Sequence, residues 1–395
     1  MMLAANRHVI YGLKRFEGKL SMSTAGIIAA VNRAKKSRPN PRVDILKSAT
    51  AVFRMLPPNF AHKIAIKSLQ YGLVPKLPGI DDPILAIRLW DIDFPNPIGI
   101  SAGFDKNAEV VDGLCDLGFG FSEIGTVTPS PQAGNPKPNL FRLSEDKALI
   151  NRLGFPSEGV AVFIKNLEKR RNDPTGVVGI NVGINTGTDD PTGDIEYCLK
   201  NLARFASYIT INVSCPNTPG LCAWQAGDKL AEMVECAKLT LAQLSGVSTP
   251  PLLVKIGPEL DEKGLAAVAD VALTVGIDGL IACNTTGARP ATLKSTNARE
   301  VGGLSGPPIR QQAAKTLSNL YELTGGRVPL IGCGGISTAD DAYARIRAGA
   351  SLLQLYTALI YGGPRLVSEI KNGLVARLRA DGYTKLSDAV GKHSR

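Results

Sequence analysis

The chain reads as an α/β protein, a (β/α)8 TIM barrel behind an N-terminal amphipathic helical hairpin, and three observations predict it. Eight short β-branched runs recur from residue 97 onward, separated by longer stretches of helical periodicity. They spread over roughly 280 residues, close to the ~250 usual for this fold. Each run ends in a polar or glycine-rich element, the distribution expected where strand ends build a site. A doubly wound sheet is the alternative, but no run is followed by a G-x-G-x-x-G turn.

Three segments follow in order. Residues 1–40 form a basic arm in which Arg7, Lys14, Arg15, Lys19, Arg33, Lys35, Lys36 and Arg38 face the single Glu17. That is +7 of the chain's +10, which leaves the remaining 355 residues nearly neutral and gives no case for a nucleic-acid partner. The arm suits a solvated tail, a targeting peptide or a contact for anionic lipid. Its longest apolar run, "AGIIAAV", is far short of the ~20 residues of a membrane span, so no transmembrane helix is expected.

Residues 41–78 form the hairpin. Ile45, Leu46, Ala49, Val52, Phe53 and Leu56 repeat at helical spacing, "PPN" interrupts, and Phe60, Ile64, Ala65 and Leu69 resume. A short helix pair has little core of its own, so part of its apolar face either packs on the main domain or opens to lipid. Residues 79–395 are then the barrel, with strands at "PIGIS" (97–101), "FSEIG" (121–125), "VVGIN" (177–181), "YITIN" (208–212), "LLVKI" (252–256), "GLIAC" (279–283), "VPLIG" (328–332) and "LLQLY" (352–356).

Composition narrows the chemistry. Seven cysteines without C-x-x-C spacing argue against a disulfide framework and a zinc site, so no metal is expected. The three histidines, His8, His62 and His393, lie near the ends, which leaves no central Ser-His-Asp triad. The work falls to Lys, Asn, Ser, Thr or Cys, or to a cofactor. The strand ends supply Ala102-Gly103-Phe104-Asp105-Lys106, Thr126, Asn181, Asn212 with Cys215 and Asn217, Lys255, Asn284-Thr285, Gly334-Gly335 and Tyr356-Thr357. "GCGGIS" and "YTALIYGGP", after the last two strands, sit where this fold binds phosphate. Lys106 and Lys255 suit an anion, and the carboxamides of Asn151, Asn212, Asn217 and Asn284 match the amide-and-imide edge of a flat heterocycle.

The span from about residue 41 to 390 resembles the class 2, quinone-dependent dihydroorotate dehydrogenases. The likeness rests on "SAGFDKNAE", "EIGTVTPSPQAGNPKPNLFRL", "NRLGF", "NVSCPNTPGL", "LLVKI", "CNTT", "GGLSGPPI", "GCGGIS" and "LQLYTALIYGGP", in order and at barrel-strand spacing. It implies an FMN-dependent oxidation of (S)-dihydroorotate to orotate in pyrimidine synthesis, with a membrane quinone as acceptor. It also implies a peripheral membrane protein of the bacterial cytoplasmic or mitochondrial inner membrane, attached through the hairpin.

By the same resemblance FMN would meet Ala102, Gly103, Phe104, Asp105, Lys106, Thr126, Asn181, Asn212, Lys255, Cys283, Gly306, Gly335, Tyr356 and Thr357. Dihydroorotate would meet Lys106, the Asn151-Arg152-Leu153-Gly154-Phe155 segment, Asn212, Asn217, Asn284 and Thr285, with Cys215 as the base and Lys255 answering negative charge on the flavin. Four positions depart from the class pattern. Cys215 stands where class 2 has serine and the soluble class 1 has cysteine. Ile184 replaces a lysine, Cys222 an arginine and Cys283 a threonine.

Overall fold

The computed structural model describes residues 45–74, 76–77, 81–170, 176–214, 217, 224–225, 227–246 and 248–392. The basic arm at 1–40, the first residues of the hairpin segment, Cys215 and Cys222 lie outside the described residues. Two helices come first, α1 (Ile45–Met55) and α2 (Pro58–Gln70). Pro58 opens α2 rather than breaking it, since a proline in the first turn forfeits no helical hydrogen bond. Strands β1 (Ile87–Leu89) and β2 (Ile92–Phe94) then form a small antiparallel pair.

The eight expected strands are present and close into a barrel. In chain order they are β3 (Ile98–Ile100), β4 (Phe121–Val127), β7 (Val177–Val182), β8 (Tyr208–Asn212), β9 (Leu252–Ile256), β10 (Gly279–Ala282), β12 (Leu330–Cys333) and β13 (Ala350–Leu355). Each pairs in parallel with the next, and β13 returns to β3. Both faces of these strands are covered, which is why they read as continuous apolar runs rather than alternating ones.

Aromatic rings close the bottom of the barrel. Phe121 and Tyr208, the first residues of β4 and β8, turn inward over Gly99 and Gly179, where a side chain would collide with the rings. Phe94 meets Phe121 edge to face at 5.6 Å, and Trp90 lies 6.2 Å from Phe94 and donates to the Asp278 carbonyl at 2.7 Å. The β1–β2 pair thus plugs the N-terminal end, leaving the opposite end for chemistry.

A second sheet, absent from the sequence expectations, stands at that opposite end. β5 (Leu140–Leu143), β6 (Ala148–Asn151) and β11 (Gly303–Ser305) run antiparallel, with Asn151 opposite both Leu140 and Gly303. The hairpin rests on this side: α1 packs on the helix Thr357–Gly362, and α2 on β5 and on the helix Val111–Asp116. Ala61, Ile66 and Leu69 are buried there, while Met55 and Tyr71 are 78% and 64% exposed. Arg142 of β5 donates to the carbonyls of Phe53, Arg54 and Leu56, so a cation satisfies the acceptors at the end of α1.

Candidate active site

The strand ends surround one cleft of about 1180 Å³, open solvent at its mouth included. Its lining holds Ala102, Gly103, Lys106, Thr126, Lys255 and Cys283 toward the barrel, and Gly306, Gly335, Tyr356 and Thr357 at one end. Asn151, Leu153, Gly154, Phe155, Asn212, Asn217, Asn284 and Thr285 line it as well. Sequence separation between Ala102 and Thr357 is bridged by the barrel, which brings all eight strand ends to one rim.

Lys255, the fourth residue of β9, is buried at the floor. Its Nζ donates to Ser101 Oγ at 3.0 Å and to Gln354 Oε1 at 3.5 Å, and among the described residues no carboxylate stands within ion-pair reach. A fixed cation held by neutral partners keeps most of its field for whatever lies above it. Deeper still, Glu123 accepts from Asn181 Nδ2 at 2.8 Å, Gln354 Nε2 at 2.7 Å, Tyr208 Oη at 3.2 Å and Thr210 Oγ1 at 3.3 Å. Four converging donors are what a buried carboxylate requires.

The carboxamides form a chain along the cleft. Thr126 Oγ1 donates to Asn181 Oδ1 at 2.6 Å, and Asn212 Nδ2 reaches both of them at 3.2 Å. Asn284 Nδ2 donates to Ser214 Oγ at 3.1 Å and to Asn212 Oδ1 at 3.4 Å, and Asn217 Nδ2 to Asn151 Oδ1 at 3.3 Å. Each amide is oriented by its neighbour, so the donors and acceptors facing the cleft are set before a ligand arrives.

Lys106 is the second cation. Its Nζ donates to the Gly103 carbonyl, and burial pushes its pKa down to about 8, partly opposed by the neighbouring Asp105 charge. Asp105 does not face the cleft. It accepts the backbone N–H groups of Glu109 and Val110 at 2.8 Å each, and burial raises its pKa to about 6 against those bonds. It therefore holds the loop that carries Lys106. Phe104 is likewise turned away, packing edge to face on His62 and Tyr356.

Two more expected contacts sit off the cleft. Asn181 is fully buried behind Thr126. Arg152 points outward, pairing with Glu300 at 2.8 Å and stacking over Phe141. Ile184 is buried, and the Cys283 thiol lies in the lining, where burial raises its pKa above the usual thiol value. Ser101, Glu123 and Gln354 were not among the expected site residues. Glu123 and Gln354 carried a signal, being polar positions inside apolar strand runs, a costly placement unless partnered.

The residues fit a flavin mononucleotide. At the glycine end, Gly335 and Ile336 are buried, and their backbone N–H groups have no acceptor among the described residues. Gly335 has φ +74, and a Cβ there would run into Arg310. Unpaired donors beside positive-φ glycines form a concavity for an anion such as phosphate.

Comparisons with known proteins agree with this geometry. The family model for dihydroorotate dehydrogenase matches residues 84–378. "Dihydroorotate dehydrogenase (quinone)" of Rhodospirillum rubrum is 51% identical over 340 residues, 86% of this chain and 92% of that protein. The mitochondrial protein of the same name from Oryza sativa is 43% identical over 366 residues, 86% of this chain and 78% of that one. The crystal structure of Eimeria tenella DHODH in complex with ferulenol superposes with a TM-score of 0.83 at 40% identity, covering 86% of this chain and 96% of that one. On the matched span and these identities, the chain belongs to the dihydroorotate dehydrogenase family, in its quinone-dependent class.

Proposed function

We propose that this enzyme oxidises (S)-dihydroorotate to orotate on FMN, with a membrane quinone as electron acceptor, in de novo pyrimidine (UMP) synthesis. The observation that carries the reading is the buried Lys255, held by neutral partners beneath a wall of four oriented asparagines and beside a phosphate-shaped glycine end. The names of the relatives supply the substrate and the acceptor class.

In this reading Gly306, Gly335, Tyr356 and Thr357 grip the cofactor phosphate, and Ala102, Gly103, Thr126 and Cys283 line its ring. Bound FMN would supply the hydride acceptor for C6 of the substrate and pass the electrons on to quinone. Lys106 binds the substrate carboxylate, and Asn151, Asn212, Asn217 and Asn284 match its ring amides. The Cys215 thiolate takes the C5 proton, so loss of that proton and of the C6 hydride leaves the C5=C6 double bond. Lys255 would favour negative charge gained by the bound cofactor.

The hairpin at 41–78 serves as the membrane contact and quinone entrance of the barrel at 79–395, and the arm at 1–40 as an appended basic segment. Among the described residues no helix is long and apolar enough to cross a membrane, and attachment through exposed Met55, Tyr71 and Leu73 needs none. The protein then sits peripherally on the bacterial cytoplasmic membrane, or on the mitochondrial inner membrane in a eukaryotic host. Anaerobic dihydroorotate should bleach the yellow purified protein and a quinone should restore its colour. A colour unmoved by dihydroorotate would overturn the proposal.

A further inference from the structure

Arg345 is a buried guanidinium behind the glycine end of the cleft. It lies on the inward face of the helix Ala339–Arg347 and is 3% exposed, and its stem crosses Gly332, the strand position where a side chain would collide with it. Among the described residues no carboxylate forms an ion pair with it. Its Nη2 donates to the carbonyls of Gly334 at 3.0 Å and Arg310 at 3.2 Å, and its Nη1 is buried with no partner.

The consequence lies in peptide geometry. The Gly334–Gly335 bond is trans, so a Gly334 carbonyl drawn toward Arg345 turns the Gly335 N–H to the opposite side. The next unit repeats the arrangement: Arg310 Nε donates to the Gly335 carbonyl at 3.2 Å, which turns the Ile336 N–H away from Arg310. Arg310 is itself fixed by Asp341 at 2.9 Å, whereas Arg345 forms no ion pair and feels the Asp341 charge only from farther away. Gly335 and Ile336 both line the cleft, and their N–H groups find no acceptor among the described residues.

We infer that Arg345 is a positioning residue for the cofactor phosphate: it holds the Gly334 carbonyl backward so that successive N–H groups face the anion, and it places a buried cation without an ion-pair partner behind them. The inference rests on the flavin reading above and adds to it the residue that confers preference for the phosphorylated flavin. Arg310 shares the geometric part, but its charge is already answered by Asp341.

The test compares FMN with riboflavin, which share the ring and differ in the phosphate. Full-length protein is stripped of flavin and titrated with each, in the unaltered form and as R345M and R345K. R345M should weaken FMN binding about ten- to hundredfold, the range for one charge-assisted hydrogen bond, while riboflavin binding changes less than about twofold. R345K, which keeps the charge on a point donor, should fall between. Equal weakening of both flavins, or an FMN-to-riboflavin preference unchanged in R345M, overturns the inference. Should R345M fail to fold, R345K decides alone, since a preference equal to that of the unaltered protein overturns it. Unaltered protein that binds neither flavin overturns the flavin reading itself, a result distinct from either of these.

Discussion

Glu123 and Lys255, opposite charges in the barrel floor, are joined through one side-chain amide. Gln354 presents Oε1 to Lys255 Nζ at 3.5 Å and donates Nε2 to Glu123 Oε2 at 2.7 Å. A direct ion pair would spend the lysine's field on the carboxylate, whereas an intervening amide orients the cation and leaves its charge facing the cleft. Gln354→Leu removes a donor from Glu123 and an acceptor from Lys255 at once. It should lower stability by about 1–3 kcal/mol, the cost of an unsatisfied buried polar group, read as a lower denaturant midpoint at unchanged slope.

Lys255→Ala should act on rate rather than on stability. Loss of one preorganised charge lowers a chemical step by about 10²–10³-fold. Single-turnover bleaching of the flavin by dihydroorotate measures this. Near-normal bleaching in the variant would remove Lys255 from the mechanism.

The barrel strands were readable because burial on both faces writes a continuous apolar run, and "YITIN" and "LLVKI" coincide with β8 and β9 residue for residue. The antiparallel sheet was not readable: β6 and β11 pair Asn151 with Gly303 across most of the barrel, and neither short strand carries a periodic pattern. The strand-end residues that line the cleft were readable for the same reason as the strands. Arg152 and Asp105 adjoin cleft residues in sequence, yet chain direction turns the first to Glu300 and the second to the Val110 amide. Arg345 looked like any arginine on a helix, since nothing in "DAYARIRAGA" says which face meets Gly332.

Lys106 gives a pH dependence. Burial sets its pKa at about 8, so the charged form that attracts a carboxylate is present below pH 8 and is lost as pH rises through it. Orotate affinity should therefore be flat from pH 6.5 to 7.5 and then fall, approaching about tenfold per pH unit well above 8. Lys106→Met should bind orotate weakly at every pH, with the slope gone. A slope that persists in Lys106→Met would assign the titration elsewhere.

His62 gives a second one, on stability. Burial, and next the Lys106 charge, lowers its pKa from 6.5 to about 3, so the folded protein holds it neutral against Phe104. The unfolded chain takes up its proton at higher pH than the folded one, so this group's contribution is full above pH 6.5 and is lost as pH falls toward 3. His62→Phe, which keeps an aromatic edge for Phe104, should melt less steeply with acid between pH 6.5 and 4. Parallel melting curves of the two proteins across that range would refute the assignment.

The last prediction concerns Cys215, whose place in the sequence follows β8 and Asn212. The chain has no central histidine to take the C5 proton, and the buried Asp105 is committed to the Glu109 and Val110 amides. Glu123 is committed to four donors below the floor, so the loop thiol is the acceptor we propose. An ordinary thiol ionises near pH ~8.5 and a cation beside it would lower that value, whereas a serine hydroxyl ionises far higher. Single-turnover bleaching by dihydroorotate should rise with pH to a plateau set by one ionisation, and Cys215→Ser should shift that plateau to higher pH. Cys215→Ala should reduce the step by two or more orders of magnitude, about the contribution of a positioned base, while FMN stays bound through Gly335 and Tyr356. An alanine variant that bleaches at the unaltered rate, or a profile unmoved by serine, would leave Cys215 a packing residue and return the proton to a solvent path.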